Sequence, residues 1–154
     1  MTEAKRIADQ LRRSQQGAAW HGPAVGELLN GVDAALAQRR FLSGAHNIWE
    51  LVLHITAWQA AALRAVKGDE MPQLDGQDDW PVPGRTEQDW RDAVEQIERV
   101  NAELVGSLAS FPDKRLSDTV PCRDYSFYFL LHGVAQHNLY HAGQIAMLKA
   151  AARV

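Results

Sequence analysis

Four long stretches of the chain repeat their apolar residues at intervals of three and four, a spacing that places those residues on one face of an α-helix. We predict these helices over residues 2–16, about 46–67, 86–111 and from about 126 almost to the C-terminus. A shorter helix is expected after Pro23, and no stretch alternates convincingly as a strand would. The pattern therefore predicts an all-α fold, a four-helix bundle with short accessory helices.

One long segment interrupts the periodic pattern. Residues 69–85 contain three prolines, two glycines and five acidic side chains, which predicts a long connection between the second and third long helices. Long connections in compact bundles are often functional, but we interpret this one as a crossover from one end of the bundle to the other. Thr86 and Asp89 have the spacing of a helix-capping pair and mark where the third helix begins.

Composition narrows the class of protein. The chain has 154 residues, enough for one domain over residues 1–154 with a proper core. Its net charge of −3 offers no basic surface for nucleic acid, and no apolar run is long enough to span a membrane. The single cysteine, Cys122, cannot form an intrachain disulfide, and the N-terminus has no apolar signal segment. We expect a cytoplasmic protein.

The fourth predicted helix carries the strongest chemical signal. His137 and His141 are four residues apart, so their side chains stack on one helical face with Cβ atoms about 5–6 Å apart. Both project into the apolar stripe, where imidazole nitrogens need a partner. Two histidines at this spacing can converge on one metal ion, and hydrogen bonds could equally satisfy them.

A third histidine joins this pair when the other helices are considered. His54 lies in the second long helix, beside the stripe that must also face the core. Metal sites in helical bundles are assembled from facing helices, and three imidazoles leave coordination positions open for water or substrate. Glu50 and Gln144 lie about one turn from His54 and His141. They are either partners that orient these imidazoles or solvated helix residues.

Several segments together resemble the DinB-like family of four-helix-bundle proteins. The similar segments are ELVLHITAW at 50–58, HGVAQHNLYHAGQI at 132–145, AWHGPAVGELL at 19–29 and the DWP of residues 79–81. The resemblance implies that His54, His137 and His141 bind a divalent transition metal, with nickel or zinc first and iron or manganese as the other possibilities. It also implies a homodimer.

The same family includes S-transferases and isomerases that use low-molecular-weight thiols. We therefore expect a metal-dependent enzyme acting on a small-molecule substrate, by thiol S-transfer or by hydrolysis. The alternative is a non-catalytic metal-binding module of the stress response, in which the ion only stiffens the bundle. The absence of an evident general base in the histidine motifs favours this alternative, whereas an open coordination position favours the enzyme.

Overall fold

The structure is a computed structural model that describes residues 1–152. The last two residues of the predicted domain, Arg153 and Val154, lie outside the described residues. Seven α-helices follow one another along the described chain: α1 (Glu3–Gln16), α2 (Val25–Leu29), α3 (Ala34–Gln38), α4 (Ile48–Lys67), α5 (Gly76–Asp79), α6 (Glu87–Leu108) and α7 (Phe127–Ala151). No strand occurs among residues 1–152, so the predicted all-α fold class is confirmed.

The four long helices α1, α4, α6 and α7 form the bundle. Helix α4 packs against α6 and α7, and α1 packs against the same two helices from the other side. The short helices α2 and α3 cover the end of the bundle where α4 begins. Within residues 1–152, none of the helices combines the length and the apolar character needed to cross a lipid bilayer.

Side-chain caps determine where the long helices begin. The predicted capping pair at α6 is confirmed: Thr86 Oγ1 accepts the backbone N–H of Asp89, whose carboxylate accepts the N–H of Thr86. Helix α4 begins in the same way, because Asn47 and Glu50 exchange side-chain-to-backbone hydrogen bonds of 2.9 Å. It ends at Gly68, whose positive φ of 99° forms the left-handed cap that glycine allows.

A polar layer divides the core into two apolar halves. Each long helix contributes to this layer, and its members are Ser14, Gln15, Gln59, Asn101 and Asn138. Asn138 accepts a hydrogen bond from Gln59 Nε2 at 3.2 Å and donates one to Ser14 Oγ at 3.1 Å. These bonds set the register of α1, α4 and α7, because a slip along the bundle would leave buried amides without partners.

Helix α7 differs from the other long helices in its charge pattern. No Asp, Glu, Lys or Arg occurs between Phe127 and Leu148, although one side of the helix is exposed. That exposed side carries Phe129, Tyr140 and Met147, each more than half accessible. Helix α7 therefore presents an uncharged surface outward as well as an apolar surface inward.

Candidate metal centre

Helices α4 and α7 bring His54, His137 and His141 together. His54 and His141 are buried, and His137 is half-buried between them. His137 Nε2 lies 3.0 Å from His54 Nε2 and 3.1 Å from His141 Nε2. All three candidate ligand nitrogens lie within 4.8 Å of one another, so the three imidazoles of the sequence prediction form one cluster.

These spacings match those of nitrogens that share an ion. Two imidazole nitrogens that each lie about 2.05 Å from one metal ion are about 2.9 Å apart when the N–metal–N angle is 90°. They are about 3.3 Å apart when that angle is tetrahedral. The observed separations of 3.0 and 3.1 Å fall between these values. Two of the three nitrogen separations are thus close to those of ligands that share one metal ion, and the third is at most 4.8 Å.

The outer nitrogens of two imidazoles fix their tautomers. His54 Nδ1 lies 2.7 Å from the carbonyl oxygen of Asp79, and His141 Nδ1 lies 2.6 Å from Gln144 Oε1. Both partners are acceptors, so each Nδ1 carries the proton and donates it. The Nε2 atom of each ring is left with a lone pair that faces His137. Oxygen atoms that accept a hydrogen bond from the outer nitrogen orient metal-binding histidines in this way.

Hydrogen bonding alone does not satisfy these lone pairs. A proton on His137 Nε2 could reach only one of the two facing nitrogens, and His137 Nδ1 has no hydrogen-bond partner among the described residues. Burial, with the charges of His141 and His54 as smaller causes, lowers the pKa of His137 to about 3. Burial also lowers the pKa of His141. At neutral pH His137 and His141 therefore keep their lone pairs, and a metal cation fits the donor set of the cluster.

Asp79 is the residue that the sequence analysis missed. Its carboxylate oxygen Oδ1 accepts the Trp58 Nε1–H at 2.7 Å and lies 3.1 Å from His54 Nδ1. Asp79 therefore orients His54 through both its carbonyl and its carboxylate. The interpretation of residues 69–85 as a plain crossover was incomplete, because this segment delivers Asp79 and Trp80 to the histidines. The DWP sequence at residues 79–81 was the available signal.

Trp80 lies flat between two imidazoles. Its indole stacks on His54 with ring centroids 3.8 Å apart and on His46 with centroids 3.4 Å apart, both within 4° of parallel. His46 Nδ1 in turn lies 3.2 Å from Glu50 Oε2. This stack restricts the plane in which the His54 ring can lie.

The two residues predicted as candidate orienting partners, Glu50 and Gln144, have different contacts in the structure. Gln144 contacts His141 directly, as described above. Glu50 contacts none of the three clustered histidines; it binds Arg40, His46 and the backbone N–H of Asn47. The physical reason is its position in the first turn of α4, where its carboxylate completes the helix cap.

Two other histidines and the single cysteine lie away from the cluster. His132 lies beside Glu3, with 4.0 Å between His132 Nε2 and Glu3 Oε1, and His21 is exposed. Cys122 is exposed in the loop before α7. None of these three side chains belongs to the group of potential metal ligands.

Two pockets open beside the cluster. His137 lines the smaller one, of about 230 Å³, together with Trp58 and residues from the first turns of α7. His141 lines the larger one, of about 610 Å³, together with Trp80, Tyr140 and Gln144. The histidines thus form a boundary that can be approached from two sides.

Comparison with known proteins gives one result. A family model described as the DinB superfamily matches residues 20–145, which include all three clustered histidines and Asp79. No curated protein and no solved structure matches the chain significantly. The matched region includes α4, the connection to α6 and the histidine-bearing turns of α7. Because this region covers most of the chain, the chain belongs to the DinB superfamily.

Proposed function

We propose that this protein is a metal-dependent enzyme in which His54, His137 and His141 bind a divalent transition metal beside two substrate pockets. The observation that carries the proposal is the convergence of three Nε2 atoms at the boundary between those pockets. Imidazole ligands favour nickel, zinc or iron over calcium and magnesium, which prefer oxygen ligands. Nickel and zinc are our first candidates, and manganese is the weakest.

The reaction that we favour is transfer of a low-molecular-weight thiol to a small electrophile. The sulfur forms a bond to an electrophilic carbon, the bond from that carbon to its leaving group breaks, and the leaving group departs with the electron pair. The thiol proton goes to solvent. A divalent metal held by three histidines supplies Lewis acidity, which lowers the pKa of a bound nucleophile and polarises the group attacked.

The surroundings of the cluster support a thiol more strongly than a water molecule as the nucleophile. The nearest carboxylate, Asp79, already accepts a hydrogen bond from Trp58 and lies against His54, so it is not available as a general base. A free thiol has a pKa of about 8.5, against about 15.7 for water, and needs far less activation. Hydrolysis is the second candidate, since the larger pocket has room for water and an ester or amide.

Burial and orientation are the contributions of the chain itself. Burial keeps His137 and His141 neutral, so their lone pairs remain available for binding. Asp79 and Gln144 hold the Nδ1 protons of the outer two imidazoles and direct their Nε2 atoms to one point. The pockets then hold the reactants next to that point.

The non-catalytic alternative would need a closed metal site. A structural zinc site usually has four protein ligands. Among the described residues, the group of potential His, Cys, Asp or Glu ligands has three members, which are all histidines. His137 lines the smaller pocket, and His141 lines the larger one. These observations favour the enzyme over a metal-binding module that only stiffens the bundle.

We also infer a homodimer and a cytoplasmic location. The uncharged outer surface of α7 around Gln136, between the α7 residues that line the two pockets, is suited to packing against a second copy of the chain. The cytoplasmic inference rests on the single cysteine, which leaves no intrachain disulfide to need an oxidising compartment.

Metal analysis tests the proposed function most directly. Protein purified without chelator and without a histidine tag should bind close to one equivalent of nickel or zinc after reconstitution, measured by elemental analysis and titration calorimetry. His137→Ala should lose this binding, because it removes the central ligand. His132→Ala, on the same helix but outside the cluster, is the matched control and should bind normally. Unchanged metal binding in His137→Ala would refute the site.

Activity is the second part of the test. Thiol transfer from bacillithiol-type and glutathione donors should be assayed beside a panel of esters and amides. An activity that disappears in both His54→Ala and His141→Ala, with helix content unchanged by circular dichroism, would link the reaction to the cluster. Equal activity in the metal-free protein would contradict a metal-dependent enzyme.

A further inference from the structure

The smaller pocket is built almost entirely from apolar side chains. Besides the His137 ring and Gly133, it is lined by Trp58, Tyr125, Phe129, Leu130 and Val134. None of these residues carries a charged side chain. An anionic group placed here would lose its hydration without gaining a cationic partner. The pocket therefore favours a neutral apolar group over an anion.

The walls of this pocket are held in place by contacts outside it. The indole of Trp58 is anchored by the hydrogen bond from Nε1 to Asp79, and its ring centroid is 6.0 Å from that of His137. Leu130 and Val134 are buried in the bundle core. The fixed side chains of Trp58, Leu130 and Val134 can contact an apolar group without first having to be ordered.

Gly133 leaves the space open on the helical side. It lies one turn before His137, and a Cβ atom added to it would meet no heavy atom within 4 Å. Glycine is a poor helix former, yet α7 is continuous through this position. A larger residue here would project from the helix and take up room in the pocket.

The pocket volume indicates the size of the group that it accepts. An apolar cavity of about 150 Å³ is known to hold a benzene ring. The smaller pocket, at about 230 Å³, has room for an aromatic ring with a short substituent or for a branched alkyl group. The larger pocket instead contains hydrogen-bonding groups from His46, Tyr140 and Gln144 and suits a more polar molecule.

We infer that the substrate of this site carries a compact, neutral, apolar group next to its reacting atom, and that the pocket of Trp58, Phe129 and Gly133 seats this group against His137. This inference rests on the proposed function, because the cluster supplies the chemistry. It adds the class of electrophile: an aralkyl or branched alkyl compound, with the polar thiol approaching from the larger pocket.

A direct binding experiment separates this inference from the proposed function. Metal-free protein is titrated with benzyl alcohol and with benzoate, two probes of similar size that differ in charge, and binding is followed by the Trp58 indole N–H signal in NMR. That signal is assigned by its loss in Trp58→Phe. Benzyl alcohol should bind at least about tenfold more tightly, equivalent to about 1.4 kcal/mol. Equal affinity for the two probes would overturn the inference.

Two glycine variants show whether binding occurs in this pocket. Gly133→Leu should weaken benzyl alcohol binding by about tenfold or more, because the new side chain occupies the pocket. Gly106→Leu is the matched control: this exposed glycine lies within α6, and an added Cβ would also meet nothing within 4 Å. Equal effects of the two substitutions, or none at Gly133, would overturn the inference. If Gly133→Leu unfolds the helix by circular dichroism, Gly133→Ala provides the smaller perturbation.

Zinc titration of the same samples keeps the two conclusions distinguishable. We expect Gly133→Leu to bind zinc as the unmodified protein does, since Gly133 is not a ligand. Zinc binding without selective binding of benzyl alcohol would reject the apolar subsite and leave the metal-dependent function in place. Failure to bind zinc, with selective benzyl alcohol binding intact, would reject the metal-dependent function and leave the pocket's selectivity in place.

Discussion

Acidifying the metal-free protein should destabilise it in the range where His137 of the unfolded chain takes up a proton. In the folded state, burial and the neighbouring imidazoles lower the pKa of His137 from 6.5 to about 3. The unfolded chain therefore binds this proton more tightly between those two pH values. The free energy of unfolding rises with pH in that window, so it falls as the pH is lowered from 6.5 towards 3.

The size of this loss of stability follows from the pKa shift of His137. One pKa unit corresponds to about 1.4 kcal/mol, so the complete shift has an upper limit of about 5 kcal/mol. Solvent reaches part of the half-buried ring, which reduces this value. Lowering the pH from 6.5 to 4.5 covers two units, and we expect His137 to contribute a loss of about 1–2 kcal/mol there. His141, whose pKa burial also lowers, contributes with the same sign.

Urea unfolding in the presence of EDTA, followed by far-ultraviolet circular dichroism at pH 4.5 to 7.5, measures this dependence. The range spans the ordinary histidine pKa of about 6.5. His137→Gln keeps a polar side chain but cannot titrate, so its stability should fall less steeply than that of the unmodified protein. Identical slopes for the unmodified protein and His137→Gln would refute the assigned pKa and the burial argument behind it.

Two further substitutions test the surroundings of the cluster. Asp79→Asn should weaken zinc binding by about tenfold in calorimetry, because it removes the carboxylate charge beside His54 Nδ1. Asp78→Asn, at an exposed neighbouring position, should bind zinc as the unmodified protein does. Equal dissociation constants for the two variants would contradict the role of Asp79. Gln136→Glu changes the side chain little in size but places a charge on the exposed uncharged side of α7, and it should shift a dimer towards monomer in sedimentation velocity. A monomer at micromolar concentration in the unmodified protein would reject the homodimer.

Periodicity was sufficient to predict the helices because each long helix must bury one face. Ile97 and Leu104 recur at the helical interval in α6 and are fully buried, and the cap at Thr86 gave the start of that helix. The clustered histidines were also predictable, since His54 and His141 occur at positions that must face the interior. The proximity of their nitrogens then follows from the packing of α4 on α7.

The role of Glu50 shows how a local signal was overlooked. Asn47 and Glu50 have the spacing of a capping box, a pattern that can be recognised in the sequence. That pattern predicts a carboxylate directed to the backbone of Asn47 rather than to His54. The stacking of Trp80 on His46 and His54 had no comparable signal, because the path of an irregular segment depends on tertiary contacts that periodicity does not describe.

Asp79 makes the candidate metal centre and the smaller pocket depend on each other. His54 and Trp58 are one turn apart on α4, so a single carboxylate can contact both side chains. One of these side chains is a candidate ligand, and the other is a wall of the pocket. A movement of Asp79 would therefore alter the orientation of the imidazole and the shape of the pocket together. The connection between α4 and α6 accordingly constrains the chemistry of the site as directly as the helices that supply the histidines.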